Sequence, residues 1–464
     1  MKFRSLVIIC AAVITLASCS GVRNLTKPQL DLPAELGGNS TDSVTAADID
    51  WMDFFADPQL VAIIRETLAH NRDFLAAAAR VQEMKELYGI TASNFFPTIS
   101  GQAYADHETN DYTTKHHVDD PEYGLKATLA WEADLWGGLK WARRKGGADF
   151  RASVEQERAM RITLIAEVAS AYFRLIALDN ELQIARRTLF TREENLQKAK
   201  LRFEGGMTPE TVYRQAEVEY ATTAALIPGL ESRIDIQKNA ISLLMGRFPE
   251  ENISRGTLLL RDSLPKSLPV GLPSQLMQRR PDIRQAEARL QGAMADVGVA
   301  YADRFPRLRI ALTGGWEQDE LKNFFHAPFS YVIGSLTGSI FDFGRNKRRY
   351  RSKIAAYDQA RLGYEQTVLT AFHEVDDAVT VLRKINQTCD RRRELLDAAQ
   401  AYARLAYRQY NAGAINYIDV LDAQRRYYEA QVNLNNALRD ENLARVELYK
   451  VLGGGWNPES DTEQ

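Results

Sequence analysis

Residues 202–246 and 409–453 are one segment written twice at a fixed offset of 207 positions. Phe203-Glu204-Gly205-Gly206 falls on Tyr410-Asn411-Ala412-Gly413, Ala216-Glu217 on Ala423-Gln424, and Leu244-Met245-Gly246 on Val451-Leu452-Gly453, with no insertion in 45 residues. So regular a duplication restricts the chain to a tandem pair of similar halves. The offset also carries a seam. Alternate steps of four and three from Leu164 pass through Val168, Ala171, Leu175, Leu178, Leu182, Ala185, Leu189, Arg192, Leu196, Ala199 and Phe203, eleven of twelve apolar. Adding 207 gives Ala371, Val375, Ala378, Leu382, Ile385, Cys389, Arg392, Leu396, Ala399, Ala403, Ala406 and Tyr410, again eleven of twelve. A 3.5-residue repeat held for about five heptads keeps one stripe of a long helix against a partner. Between about Trp141 and Glu204 there is no proline and only Gly146-Gly147 as glycine. That stretch predicts a helix on the order of 95 Å long, where globular helices run roughly 8–20 residues.

The N-terminus supplies an address. Met1-Lys2-Phe3-Arg4 is charged, Leu6 to Leu16 is apolar, and Leu16-Ala17-Ser18-Cys19 ends in small residues before a cysteine. The apolar run is far short of the roughly 20 residues of a membrane helix. The pattern resembles a bacterial lipoprotein signal, residues 1–18, cleaved so that the Cys19 thiol takes a diacylglyceryl group. Ser20, where an aspartate would imply inner-membrane retention, implies the outer membrane. Cys10 then leaves with the signal, and Cys389 on the second seam reads as a small buried hydrophobe. With 58 basic and 61 acidic side chains and net charge −3, the chain has no basic field for nucleic acid. Mean hydropathy is −0.33, and no other apolar run reaches membrane-helix length. If this chain spans a membrane, it does so as strands.

Residues 19–50, rich in Pro, Gly, Ser and Thr, read as a tether. Asp57-Pro58 is an N-cap followed by proline at the first helical position, and helical pattern continues to about Asn94. Then the period changes. Tyr123, Leu125, Ala127, Leu129 and Trp131 alternate with Gly124, Lys126, Thr128, Ala130 and Glu132, a strand pattern. With Thr98 to Asp106 as partner it predicts a hairpin within 97–135, joined by a polar loop His107–Pro121. A second hairpin within 306–343 pairs Leu308, Ile310 and Leu312 with a return strand from about Ser330 to Phe341. Each half, 51–246 and 276–453, thus reads as helix, hairpin, very long helix, turn, helix. Thr208-Pro209 is expected to restart the chain as N-cap and first helical residue, Asn416 is a candidate N-cap, and Pro228-Gly229 should kink or break its helix. Residues 247–275 form a proline-rich linker, and 454–464 a polar tail.

Four strands cannot close a membrane barrel, for which about eight is the minimum. An open edge in lipid strands peptide groups at several kcal/mol each, so other copies must complete it. A dimer gives eight strands with a side-chain-filled interior, whereas a trimer gives twelve and an open channel.

Five stretches carry a resemblance over almost the whole mature chain: Trp51 through Pro58-Gln59-Leu60; Ala76-Ala77-Ala78-Ala79-Arg80-Val81; Arg279-Arg280-Pro281-Asp282-Ile283-Arg284-Gln285-Ala286-Glu287; Asp419-Val420-Leu421-Asp422-Ala423-Gln424-Arg425; and Tyr449-Lys450-Val451-Leu452-Gly453-Gly454-Gly455-Trp456. In this order they resemble the outer-membrane efflux proteins, the TolC-like channels, and within them the lipid-anchored branch serving resistance-nodulation-division pumps. The resemblance implies a mixed α and transmembrane β-barrel fold. It implies a homotrimer with a 12-stranded outer-membrane barrel and a 12-helix periplasmic tunnel, and no cofactor. Implied partners are outer-membrane lipid, a periplasmic adaptor (membrane fusion) protein and an inner-membrane proton-driven transporter.

The stripe Ile418, Asp422, Arg425 lies on one helix face. The resemblance matches it to the constriction at the periplasmic end of the tunnel, with Asp419 a weaker second candidate. Its bland reading is a solvated face with an intrahelical pair worth a few tenths of a kcal/mol. The turns Gly205-Gly206-Met207-Thr208 and Gly413-Ala414-Ile415-Asn416 are candidates for adaptor docking, against helix capping alone. Arg279-Arg280-Pro281-Asp282 reads as structural capping. His107, Glu108, Asp111, His116, His117, Asp119 and Asp120, in the segment 106–121, fit no zinc spacing and read as a surface loop. No nucleophile elbow, P-loop or metalloprotease helix is present, so the chain is not read as an enzyme. The function expected is a passive exit for small toxic compounds such as drugs, detergents or metals. Its rivals are an exit for secreted polypeptides and a periplasm-spanning coiled coil without a pore.

Overall fold

The structure is a computed structural model that describes residues 25–31, 33, 45–55, 57–112, 116–249, 252–256, 264, 269–271 and 273–454, without the side chains of 108–120. The signal 1–18, Cys19, most of the 19–50 tether, much of the 247–275 linker, and Trp456 with the tail lie outside the described residues. The elements in order are α1 (Trp51–Phe54), α2 (Pro58–His70), α3 (Arg72–Ser93), β1 (Thr98–Tyr112), β2 (His116–Ala133), α4 (Gly138–Glu204), α5 (Glu210–Leu244), α6 (Pro273–Arg279), α7 (Pro281–Ala302), β3 (Arg307–Gln318), β4 (Pro328–Thr337), α8 (Arg345–Asn411) and α9 (Tyr417–Val451). The duplication is repeated in the backbone: α4 and α8 each have 67 residues and α5 and α9 each 35, all displaced by the same 207.

Contacts divide the chain into two compact units, each drawing on both halves. Over the described residues, the first comprises 80–154 and 285–366 with 25–30, and the second 155–284 and 367–454 with those from 31 to 79. The core of the second unit is where the seams meet. Leu164, Val168, Ala171, Leu175, Ala185, Ala371, Val375 and Cys389 are all buried. Phe54 stacks on Tyr449 at 4.1 Å, and the Tyr449 hydroxyl donates to the Ile49 carbonyl at 2.7 Å. The Asp57 carboxylate caps α2 through the Gln59 N–H at 2.9 Å, with Pro58 in the first turn. The helical pattern expected to continue to about Asn94 is built as two helices that meet at Asn71. Its side chain caps α3 through the Phe74 N–H and donates to the Leu244 carbonyl.

Two expectations about α5 need correction. Of the expected kink or break at Pro228, the break does not occur; the helix continues from Glu210 to Leu244, because Leu230, Ile234 and Ile241 remain buried on the far side of the proline and tertiary packing outweighs one lost hydrogen bond. Thr208 does not cap it. Pro209 occupies the N-cap position, and the Thr208 hydroxyl is buried without a hydrogen-bond partner.

In the first unit the strands form one antiparallel sheet in the order β1-β2-β3-β4. The strands of the first hairpin outrun their predicted ends. Tyr112 pairs with His116 near the tip of the first hairpin, so every described residue of the stretch assigned to a polar loop is strand; a backbone ladder needs no apolar side chains to continue. The second return strand is shorter than expected, ending at Thr337 and leaving Ile340 and Phe341 exposed beyond it. Register sorts the sheet into two faces. Ile99, Leu129, Leu312 and Val332 lie opposite one another across the four strands, as do Ala103, Leu125 and Trp316. The other face carries Gln102 opposite Lys126, and Thr128 with its hydroxyl 3.0 Å from that of Thr313. Both long helices then start from an aspartate cap. Asp134 accepts from the Leu139 and Lys140 N–H groups, and Asp342 from those of Gly344 and Asn346. The Asn346 and Gly344 N–H groups hold the Asp342 carboxyl below its ordinary range.

Candidate functional site

The two turns that follow α4 and α8 have one geometry. Gly206 and Gly413 adopt φ of 68° and 76°, a region that a side chain disfavours. The Met207 N–H donates to the Arg202 carbonyl at 2.8 Å and the Ala414 N–H to the Gln409 carbonyl at 2.9 Å, the closure of a Schellman motif. Beneath the turns a separate cluster packs Ala199 of α4, Ala216 of α5, Ala406 of α8, and Tyr417, Val420, Leu421 and Ala423 of α9. Both turns therefore belong to one four-helix end. Met207 is 72% exposed, and Gly205, Gly206, Gly413, Ala414 and Asn416 are exposed with it. Ile415 differs. It is half-buried against the cluster, so it is a support of the turn more than a displayed residue. Asn416 is the N-cap of α9, and the Asp419 carboxylate accepts from its N–H at 3.1 Å.

The stripe Ile418, Asp422, Arg425 lies on the face of α9 turned away from that cluster. Ile418 is 55% exposed, Arg425 is exposed and Asp422 half-buried. Within the chain, Asp422 accepts from Arg426 at 2.8 Å, one turn on; Arg425 is free to point elsewhere. Arg192, the polar interruption of the first seam, is buried nearby. It donates to the Thr223 hydroxyl at 2.5 Å and the Glu219 carbonyl at 2.8 Å, and pairs with the Glu219 carboxylate. Burial, with Arg425 adding like charge, lowers the Arg192 pKa against the pull of Glu219. The end beneath the turns thus combines an apolar floor, a buried cation and an exposed acid–base stripe.

The Arg279-Arg280-Pro281-Asp282 motif is structural. Arg280 is buried and donates to Asp282, to Glu374 at 2.6 Å and to the Val451 carbonyl at 3.1 Å, tying α7, α8 and α9 together. On the polar face of the sheet the Tyr104 hydroxyl lies 2.6 and 3.0 Å from carboxylate oxygens of Glu122 and Glu317. His107 is exposed at the edge of this region; the side chains from Glu108 to Asp120 lie outside the described ones. Two features had no signal in the sequence. The N-terminal segment is strapped onto the first unit, with the Thr26 carbonyl accepting from the Tyr357 hydroxyl at 2.8 Å and Lys27 paired with Glu287 at 2.7 Å. The Tyr172 hydroxyl donates to Asp57 at 2.5 Å and accepts from the Gly256 N–H at 2.8 Å.

Residues 63–247 and 272–454, one stretch in each half, match the family described as outer membrane efflux protein. The solvent efflux pump outer membrane protein SrpC of Pseudomonas putida is 30% identical over 470 residues, covering 98% of this chain and 99% of that protein. SilC of Salmonella typhimurium, a probable outer membrane lipoprotein, is 30% identical over 463 residues, covering 96% of this chain and 98% of SilC. A crystal structure of CusC, solved in the context of transmembrane channel formation, superposes with a TM-score of 0.86 at 27% identity, covering 94% of this chain and all of that one.

Proposed function

Because the chain belongs to the outer membrane efflux protein family, we propose that it is the outer-membrane exit channel of a tripartite efflux system, passively releasing small toxic compounds. The observation that carries this reading is the two-faced sheet. One face sets Ile99, Leu129, Leu312 and Val332 in a row and the other Gln102, Lys126 and Thr128. A sheet apolar on one side and polar on the other suits lipid outside and water inside. Among the described residues β1 and β4 each keep an unpaired outer edge, and in lipid such an edge must be paired. Head-to-tail pairing of β4 on one copy with β1 on the next closes a ring; three copies of four strands make twelve. The same symmetry brings three copies of Ile418, Asp422 and Arg425 around one axis as the periplasmic constriction. The exposed Met207 turn is then the surface for a periplasmic adaptor, itself coupled to an inner-membrane transporter that supplies the energy.

A lipid on Cys19 fits this arrangement. Seven residue steps separate Cys19 from Thr26, which is held on Tyr357, and they reach at most about 25 Å. Tyr357 lies twelve residues into α8, about 18 Å from its start, so the lipid enters a bilayer close to the level at which β4 gives way to α8. The test is native mass spectrometry in mild detergent with planar-bilayer recording. Three copies and a stable conductance are expected. A monomeric protein, or trimers that insert without conducting, would overturn the reading.

A further inference from the structure

A groove of about 660 Å³ opens at the start of α4, bordered by Tyr88, Phe95, Trp141, Lys140, Arg143 and Arg144. It is built across three helices, α3, α4 and α7. The Trp141 ring occupies the space left by Gly298 of α7, where an added Cβ would come within 2.3 Å of the indole. The Arg144 guanidinium lies 4.6 Å over the Trp141 ring and that of Arg143 5.9 Å from the Phe95 ring. Aromatic faces hold these cations in place without neutralising them. Among the described residues none of Lys140, Arg143 and Arg144 takes part in an ion pair, whereas the neighbouring Lys145 is paired with Asp149 at 2.6 Å.

We propose that this groove binds the headgroup of an anionic phospholipid, its phosphate between the three cations and its glycerol against Trp141 and Phe95. The proposal rests on the reading that the sheet lies in a bilayer. On that reading α4, which starts at Gly138 after β2 ends at Ala133, opens at headgroup depth. Aromatic rings beside unneutralised Lys and Arg are the composition of a membrane interface. The second half repeats it: α8 opens with exposed Arg345, Lys347 and Arg348 next to exposed Phe343.

The test places the purified trimer in phosphatidylcholine nanodiscs containing a minor share of phosphatidylglycerol and counts lipids retained on release by native mass spectrometry. Wild type should retain phosphatidylglycerol in preference to phosphatidylcholine. Lys140→Gln/Arg143→Gln/Arg144→Gln should weaken that retention on the order of a hundredfold. A control pair of exposed cations in the other unit, Arg187→Gln/Arg404→Gln, should leave it unchanged. If the triple variant does not assemble, Arg144→Gln alone should lower retention roughly fivefold; unchanged retention with a weakened trimer would assign the groove to a second copy of the chain and overturn the proposal. Equal retention of both lipids, or displacement by millimolar inorganic phosphate alone, also overturns it. A wild type that never enters the bilayer sinks the membrane reading as well, whereas one that conducts but holds both lipids alike sinks only this proposal.

Discussion

At Asp422 the partner taken up within the chain is Arg426, and this decides what each substitution should do. An exposed pair one turn apart is screened by water and adds little to stability, so Arg426→Ala should leave thermal stability almost unaltered. If the stripe is the constriction, Asp422→Ala with Arg425→Ala should raise single-channel conductance while trimers persist. A matching rise from Arg426→Ala alone would instead assign the effect to the intrahelical pair, and no rise in either would move the gate off this stripe. Cys389 offers a second residue-scale test. Burial first, then the facing Glu441 carboxylate, pushes its thiol up to about 12. The thiolate, the reactive species, should therefore be scarce, and iodoacetamide at pH 8 should label the native protein far more slowly than the unfolded chain. Because the folded pKa lies above the ordinary 9.0, stability from this group is present below about pH 9 and is lost as pH rises toward 12. Rapid labelling of the native protein would contradict the burial.

Among the elements, α5 carries Pro228 in its interior, which removes one hydrogen bond from a helix that otherwise runs through Leu244. Pro228→Ala should raise the unfolding midpoint, with a gain of about 1–3 kcal/mol; calorimetry showing no gain would mean that the local backbone has already relaxed around the ring. The long helices were legible from the sequence because their seam depends only on period. The strand ends were not, because a hairpin tip of His, Asp and Glu looks like a loop while its peptides still pair. The pairing at Asp422 was half legible. Arg425 and Arg426, three and four residues after Asp422, are both within a helical side chain's reach, and only the rotamers chose between them. The groove at α4 gave no signal at all, since it depends on Trp141 meeting Gly298 from another helix.

For the molecule as a whole, the equal lengths of α4 and α8, and of α5 and α9, constrain how the protein can change size. The two turns share one cluster, so both must stay level. Removing a single residue rotates everything beyond it by about 100°, whereas removing seven turns the seam by only about 20° but withdraws the turn by about 10 Å. A viable shortening must therefore remove one heptad from all four legs. Deleting 183–189, 226–232, 390–396 and 433–439 together should still give trimers by native mass spectrometry, and deleting only the first two should not. If the one-sided deletion assembled equally well, the levelling of the turns would be dispensable. If it does not, a lineage can lengthen or shorten this protein only by editing four places at once in the same multiple, and a reach set so rigidly obliges whatever meets the turns to do the adjusting.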